Sequence, residues 1–421
     1  MPTLARRAES VQLAETEATG GQRPVLVDLA GRAVAEKAMV AKARKIAKIA
    51  AEHAADVDAK ARFPQEAFDA LRRERLLGIM VPAAQGGEQA SLSSIAEICA
   101  ALAQGCSSTG MIYAMHQIKA SSLVVHCGDD PWHAGFMERI AREQLLLASA
   151  TTEGGGVGGD LRSSVCGVVR EGDDFTLEKE GCLISYGAQA DAILITSRRT
   201  PEAPPSDQVM SVLTKDQYRL ERSAVWDTMG MRGTCSDNFT LAGRAPAAQI
   251  IPTPFAEIAA QSMLAHAHLL WAAVWYGIAA EAVARAEGFV RNEARKRPGS
   301  TPPSALRLAE LLARLQQFKA LVVAGLDRYE RARDDVDELS SMGFVVAMNS
   351  VKVTASQSVG EIVSQAFLIC GIQGYRNDSP SSLARLMRDA LSAPIMINND
   401  RILGNTSNLL AVYKHDPSLS R

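Results

Sequence analysis

The sequence predicts a mainly α-helical protein with a central β domain, and three observations carry that prediction. Helical patterning with strong helix formers prevails up to about residue 146. Between Leu147 and Pro254 the runs shorten, β-branched residues alternate with polar ones, and turn clusters recur at Glu171-Gly172-Asp173-Asp174, 201–206 and 232–237. After Pro252 and Pro254 long helical periods return and continue almost to the end.

In chain order, residues 1–27 are polar, hold Gly20-Gly21 and Pro24, and read as a mobile arm. A helical N-terminal domain is expected over 28–146. Ala33–Asp58 is Ala- and Lys-rich, suited to a surface helix with one narrow buried face, and Pro64 stands at the start of a second helix, Gln65–Glu74. Serines at 91, 93 and 94 precede a helix over Ile95–Ala103, and a Ser-Ser-Thr cluster precedes another over Met111–Val125; Pro131-Trp132 opens one reaching Leu146. The β domain, 147–254, is expected to contain strands within Leu161–Arg170, Asp174–Lys179 and Leu183–Tyr186. The helical bundle, 255–421, should comprise Ala256–Lys296, Pro303–Arg331, Asp335–Ile372 (divided near Gly343 or Gly360) and Ser381–Tyr413.

Composition excludes several functions. Lys plus Arg (45) nearly balances Asp plus Glu (47), so no basic field exists for nucleic acid. The seven cysteines are scattered without a Cys-x-x-Cys pair or a Cys/His cluster, which excludes a zinc site and fits reduced thiols in a cytoplasm. Ile258–Ala280 carries no formal charge but is interrupted by Gln261, Ser262, His266, His268 and Tyr276, so it is expected to be a buried bundle helix and not a membrane span.

The chain is organised around Thr151-Thr152-Glu153-Gly154-Gly155-Gly156-Val157-Gly158-Gly159-Asp160, in which glycines clear the Cβ atoms that would keep a ligand from the backbone. Gly154–Gly159 matches G-x-G-x-x-G, but strand-like runs follow where a dinucleotide fingerprint requires a helix. With three later segments this loop resembles the acyl-CoA dehydrogenase superfamily of flavoproteins. The loop is similar to that family's Thr-Glu-Pro-x-Ala-Gly-Ser-Asp segment. Gly230-Met231-Arg232-Gly233-Thr234 resembles its Gly-x-Arg-Gly-Ser/Thr turn, and Glu293-Ala294-Arg295-Lys296 with Gly299 its Glu-Arg-Lys-x-x-Gly helix end. Gly371-Ile372-Gln373-Gly374-Tyr375 followed by Leu386-Met387-Arg388-Asp389-Ala390 resembles its Gly-Gly-x-Gly-Phe and Leu-x-Arg-Asp-Ala pair.

The resemblance implies a middle β-barrel, a C-terminal four-helix bundle, bound FAD, and a homodimer or homotetramer. By position, Thr151 and Thr152 would lie beside the flavin and Ser185 at its N5, where a hydroxyl can donate before reduction and accept afterwards. Arg295 would reach the FAD pyrophosphate of a neighbouring subunit, Gly371 and Gly374 would let backbone approach that cofactor, and Asn399 is a further candidate contact. The sequence also departs from the pattern. The position of the family's catalytic Glu is Ile397, within Ile397-Asn398-Asn399-Asp400; the loop Ser is Gly159 in a loop one residue longer; a Gln before the Gly-Gly pair is Leu368. Candidate proton acceptors are then Asp400, one turn beyond Ile397, and His268 and His116, imidazoles on buried helices.

Three functions are therefore open. The first is flavin-dependent α,β-dehydrogenation of an acyl thioester on coenzyme A or a carrier protein, with an electron acceptor that the sequence does not name. The second is a two-component monooxygenase of the same superfamily, in which a separate reductase supplies reduced flavin, FMN included, to react with O₂. The third is a non-catalytic flavin-binding protein.

Overall fold

The computed structural model describes residues 29–128, 130–154, 160–296, 298–416 and 418. The N-terminal arm 1–27 and the glycines 155, 156, 158 and 159 lie outside the described residues.

The N-terminal domain is helical. α1 (Leu29–Lys60) buries Met39, Ala43, Ile46, Ala50, Ala54 and Val57, a three-and-four spacing that puts one stripe against α3 (Leu92–Gly105). α2 (Gln65–Arg73) follows Pro64. Ser91 Oγ accepts the Ser94 N–H at 3.2 Å to cap α3, and Asp130 accepts the His133 N–H at 3.1 Å to cap α5 (Pro131–Glu143). Between them α4 (Ser107–His126) is buried on nearly all sides.

Hydrogen bonding divides the expected barrel into two sheets. β1 (Leu147–Ala150), β4 (Ala192–Arg198) and β5 (Gln208–Thr214) form one in the order β1-β4-β5, with β1 and β4 parallel. β2 (Val169–Glu171), β3 (Asp174–Ile184), β6 (Tyr218–Ala224) and β7 (Asp237–Pro246) form the other, antiparallel, in the order β2-β3-β7-β6. Most of the strand expected over 161–170 is irregular, and the runs at 174–179 and 183–184 fuse into β3 across a bulge at Lys179–Cys182.

In the C-terminal domain, α6 (Phe255–Ile258) runs through a π-helical turn, Ala259–Met263, into α7 (Leu264–Lys296). This helix is long and apolar enough to cross a bilayer, but 83% of its most apolar window is buried. α7 is held between α3 and α10 (Met342–Cys370), and Gly277 permits the crossing: a Cβ there would lie 2.3 Å from the Ala100 carbonyl oxygen. α8 (Ser304–Ala332), α9 (Val336–Ser340), α11 (Ile372–Tyr375), α12 (Ala384–Ala390) and α13 (Asn399–Leu410) complete the domain. The break expected near Gly343 or Gly360 falls at Ser341, whose Oγ caps α10 by accepting the Phe344 N–H at 3.1 Å, while Gly360 is mid-helix. The helix expected over 381–413 is two, because Pro394 and Ile397, the latter at φ 49°, turn the chain between α12 and α13.

Candidate functional site

Buried polar contacts and one close backbone approach fix the segments around a cavity of mixed polarity. Asp389 on α12 is buried and accepts the Met231 N–H at 2.7 Å, while Gly230 lies so close to α12 that a Cβ would sit 2.2 Å from the Arg388 carbonyl oxygen. Arg388 pairs with Asp58 of α1, and Arg232 Nε donates to the Asp58 carbonyl at 2.9 Å. The Gly230–Thr234 turn thereby joins all three domains. On the other side Lys352 of α10, fully buried, donates to the Ile397 carbonyl and Asn399 Oδ1 at 2.7 Å each and to the Ala393 carbonyl at 3.3 Å. Burial pushes its amine down to about 8, and the Trp275 ring lies 5.6 Å away.

These segments enclose a cavity of about 360 Å³. Its polar wall consists of Ser149, Thr151, Thr152, Ser185, Thr234 and Ser236. Tyr186, at φ 43°, donates its N–H to the Thr234 carbonyl at 2.8 Å and its hydroxyl to the Leu147 carbonyl at 2.9 Å, which aims the adjoining Ser185 inward. Ser185 Oγ and Ser236 Oγ are 2.8 Å apart, Ser236 Oγ and Thr234 Oγ1 another 2.8 Å, and Thr234 Oγ1 donates to the Met231 carbonyl at 2.8 Å. Thr152 Oγ1 accepts the Leu183 N–H at 2.8 Å, stitching β1's exit to β3. The buried Glu153 accepts the Val165 and Cys166 N–H groups at 3.1 and 2.7 Å, with Lys179 Nζ 3.7 Å away, and so ties the chain leaving β1 to residues 165–166 and to β3.

The opposite wall is apolar: Met111, Met115 and Ile118 from one face of α4, and Met263, Leu264, Ala267 and Trp271 from the π turn and α7. One charged side chain breaks it, Lys119, buried, whose Nζ lies 3.1 Å from Met263 Sδ. Burial pushes this amine down to about 7, and no described carboxylate lines the cavity. A second cavity, about 430 Å³, shares Leu161 and Leu264 with the first and is lined by Arg162, Ser206, Gln208, His268 and Asn349 among others.

The sequence candidates separate on this geometry. Thr151, Thr152 and Ser185 share the polar wall. His116 lines neither cavity: its Nε2 meets the Leu77 carbonyl at 2.8 Å and its Nδ1 accepts the Leu147 N–H at 3.1 Å, so both nitrogens hold backbone, and burial pushes its pKa down to about 4. His268 lines the second cavity, buried, with Nδ1 unpartnered among the described residues and its pKa likewise pushed down to about 4 by burial. Asp400 is exposed in the first turn of α13 and lines neither cavity. Asn399 is spent on Lys352 and Ser356. Arg295 is exposed in the last turn of α7, Gly371 is exposed at the C-cap of α10 with φ 55°, and Gly374 is buried where a Cβ would lie 2.9 Å from Cys370 Cβ. The sequence reading missed Lys119, Lys352 and the Glu153–Lys179 pair. Lys119 had a signal: it is the only Lys, Arg, Asp or Glu between Glu97 and Asp129.

A family model for the N-terminal domain of acyl-CoA dehydrogenase matches residues 34–144, and one for the C-terminal domain of acyl-CoA dehydrogenase matches 258–404. The chain is 25% identical over 358 residues to a cyclohex-1-ene-1-carbonyl-CoA dehydrogenase of Geobacter metallireducens, covering 84% of this chain and 91% of that one. Among solved structures it superposes on dibenzothiophene monooxygenase (TdsC) of Paenibacillus sp. A11-2 with a TM-score of 0.75 at 20% identity, over 91% of this chain and 100% of that one. It superposes on butyryl-CoA dehydrogenase of Megasphaera elsdenii with a TM-score of 0.73 at 20% identity, over 89% and 98%. The two structural likenesses show the fold, and the two domain matches together span more than half of the sequence: the chain belongs to the acyl-CoA dehydrogenase superfamily.

Proposed function

We propose that the protein is a flavin-dependent oxidoreductase that introduces an α,β double bond into an acyl thioester. The observation that carries this reading is the division of one cavity into a hydroxyl wall and an apolar wall. A flat ring with polar edges fits against Ser185, Ser236 and Thr151, and an acyl chain fits between α4 and α7. A bound flavin, FAD by family, supplies the acceptor for the two electrons leaving with the β-hydrogen. The chain's own groups do the rest. Thr151 and Ser185 would orient the ring edge and Met115, Met263 and Trp271 exclude water; of the three proton-acceptor candidates, Asp400, His116 and His268, His268 alone lines a cavity, the second one, which leaves it the candidate to take the α-proton. The second cavity takes the thioester arm. Its relative from Geobacter metallireducens, named for a CoA-thioester dehydrogenation, supports the substrate class. Arg295, Gly371 and Gly374 reach cofactor only if a second subunit packs there, so the reading includes at least a dimer. Seven unpaired thiols, six of them buried, agree with a reducing cytoplasm.

A second reading follows from the cavity lining, which holds no described carboxylate: a monooxygenase fed with reduced FMN, a reading supported by the dibenzothiophene monooxygenase that shares the fold and has an FMN-bound structure. One experiment separates the two. The flavin-loaded protein is mixed anaerobically with acyl-CoA thioesters of graded length and its visible absorbance followed. Bleaching, with the enoyl thioester as product, supports dehydrogenation. Absence of bleaching together with oxygen incorporation into an added substrate when reduced FMN is supplied overturns it.

A further inference from the structure

Lys119 is a buried cation in the wrong company. Met115 and Ile118 of the same helix line the cavity with it, its amine lies 3.1 Å from the sulfur of Met263, and no described Asp, Glu, His or Arg shares that lining. A buried ammonium without a partner is costly, and Met would fill the same space without that cost. The amine also has a definite address. The first turn of α4 packs on the Gly233-Thr234 turn, where a Cβ on Gly233 would lie 3.0 Å from Ser108 Cβ. Lys119 lies eleven residues farther along that helix, about 16 Å of helix axis, beside the π turn of Ala259–Met263. The hydroxyls of Ser236 and Thr234 and the amine of Lys119 therefore line one corridor, separated by about three turns of α4.

Resting on the acyl-thioester reading above, we propose that Lys119 selects the far end of the substrate: the acyl chain carries a carboxylate remote from its thioester, and the Lys119 amine receives it. The corridor walls discriminate by length, and the amine discriminates a charged terminus from a methyl one. The depressed pKa of the free amine, about 7, is the form expected of a lysine awaiting its anion. Arrival of a carboxylate restores the charged form, so binding above neutrality takes up a proton.

The test compares suberoyl-CoA with octanoyl-CoA on the flavin-loaded wild type, Lys119→Met and Lys119→Arg. The expected result is a kcat/KM preference of tenfold or more for the carboxylate-ended thioester, cut at least tenfold by Lys119→Met and retained by Lys119→Arg. Turnover of both thioesters by the wild type with a ratio unchanged in Lys119→Met overturns the proposal. If neither thioester is turned over, the dehydrogenation reading fails, and calorimetry with octanoate at pH 8 in two buffers of different ionisation enthalpy decides for Lys119. Binding with proton uptake that Lys119→Met weakens tenfold sustains the anion site. Binding equal in the two proteins overturns it.

Discussion

Ser185 Oγ lies 2.8 Å from Ser236 Oγ, and this short contact sets which way Ser185 can bond to anything in the cavity. Thr234 has one hydroxyl proton and gives it to the Met231 carbonyl, so Ser236 must donate to Thr234 and Ser185 to Ser236. Ser185 is left with lone pairs facing the cavity. On the flavin reading proposed above, a relay poised this way would accept from a reduced ring nitrogen and stabilise the reduced cofactor.

Replacing Thr234 by valine removes the end of the relay. Ser236 can then donate back to Ser185, whose proton turns into the cavity and favours the oxidised ring. The expected outcome is a lower flavin reduction potential in Thr234→Val. A hydrogen bond of about 1 kcal/mol corresponds to roughly 20 mV for a two-electron couple. Equilibration with a redox dye measures it, and an unchanged potential would show that the relay does not set the bonding of Ser185.

The joint between Asp389 and Met231 makes a separate prediction about stability. Asp389→Ala leaves the Met231 N–H without its acceptor and should cost about 1–3 kcal/mol in denaturant unfolding. Asp389→Asn keeps an acceptor and drops the buried charge, so it should cost less. Burial raises the Asp389 pKa above the ordinary carboxylate value. The group therefore favours the folded state fully below 3.8, and that contribution is lost as pH rises through the raised value. Relative to Asp389→Asn, the wild type should lose ground as pH climbs from 4 toward neutrality.

The domain order and the positions of most helices were legible because they depend on local signals: apolar period, Ser and Asp caps, and prolines at 64, 131 and 254. Thr151, Thr152 and Ser185, which the motif resemblance groups together, line one cavity. The partners of His116 and Lys119 were not legible, and the reason is physical. They stand three residues apart on one buried helix, where periodicity marks both as interior but carries no information about partners. His116 meets two backbone groups from residues 77 and 147, and Lys119 meets a cavity; only long-range packing separates them. The turn between α12 and α13 was missed for a similar reason. Lys352, some forty residues upstream, holds its carbonyls.

His116 should therefore behave as a brace between α4, the Leu77 segment and β1. His116→Ala leaves the Leu77 carbonyl and the Leu147 N–H unpaired and is expected to cost about 2–4 kcal/mol in unfolding free energy. Its pKa of about 4 has a signed consequence. The contribution to stability is complete above 6.5 and is lost as pH falls through about 4, so wild type and variant should converge in acid. In kinetics, His116 should add no limb to a pH profile between 5 and 8. A limb in that range that vanishes in His116→Gln would overturn the assignment.

Lys119 makes the opposite prediction in alkali. Folding lowers its amine from 10.5 to about 7, so between those values the unfolded chain binds a proton that the folded chain does not. Stability must then rise with pH across that window, by about 1.4 kcal/mol per pH unit at most. Below about 7 both states are protonated and the folded one bears the full cost of a buried cation. Lys119→Met has no such titration. The variant should be more stable than the wild type at pH 6.5, by about 1–4 kcal/mol, and the gap should narrow steadily toward pH 10. Urea unfolding of both proteins at three pH values reads the gap directly. A gap independent of pH would mean that the folded Lys119 amine titrates as an exposed lysine does, with water reaching it inside the cavity.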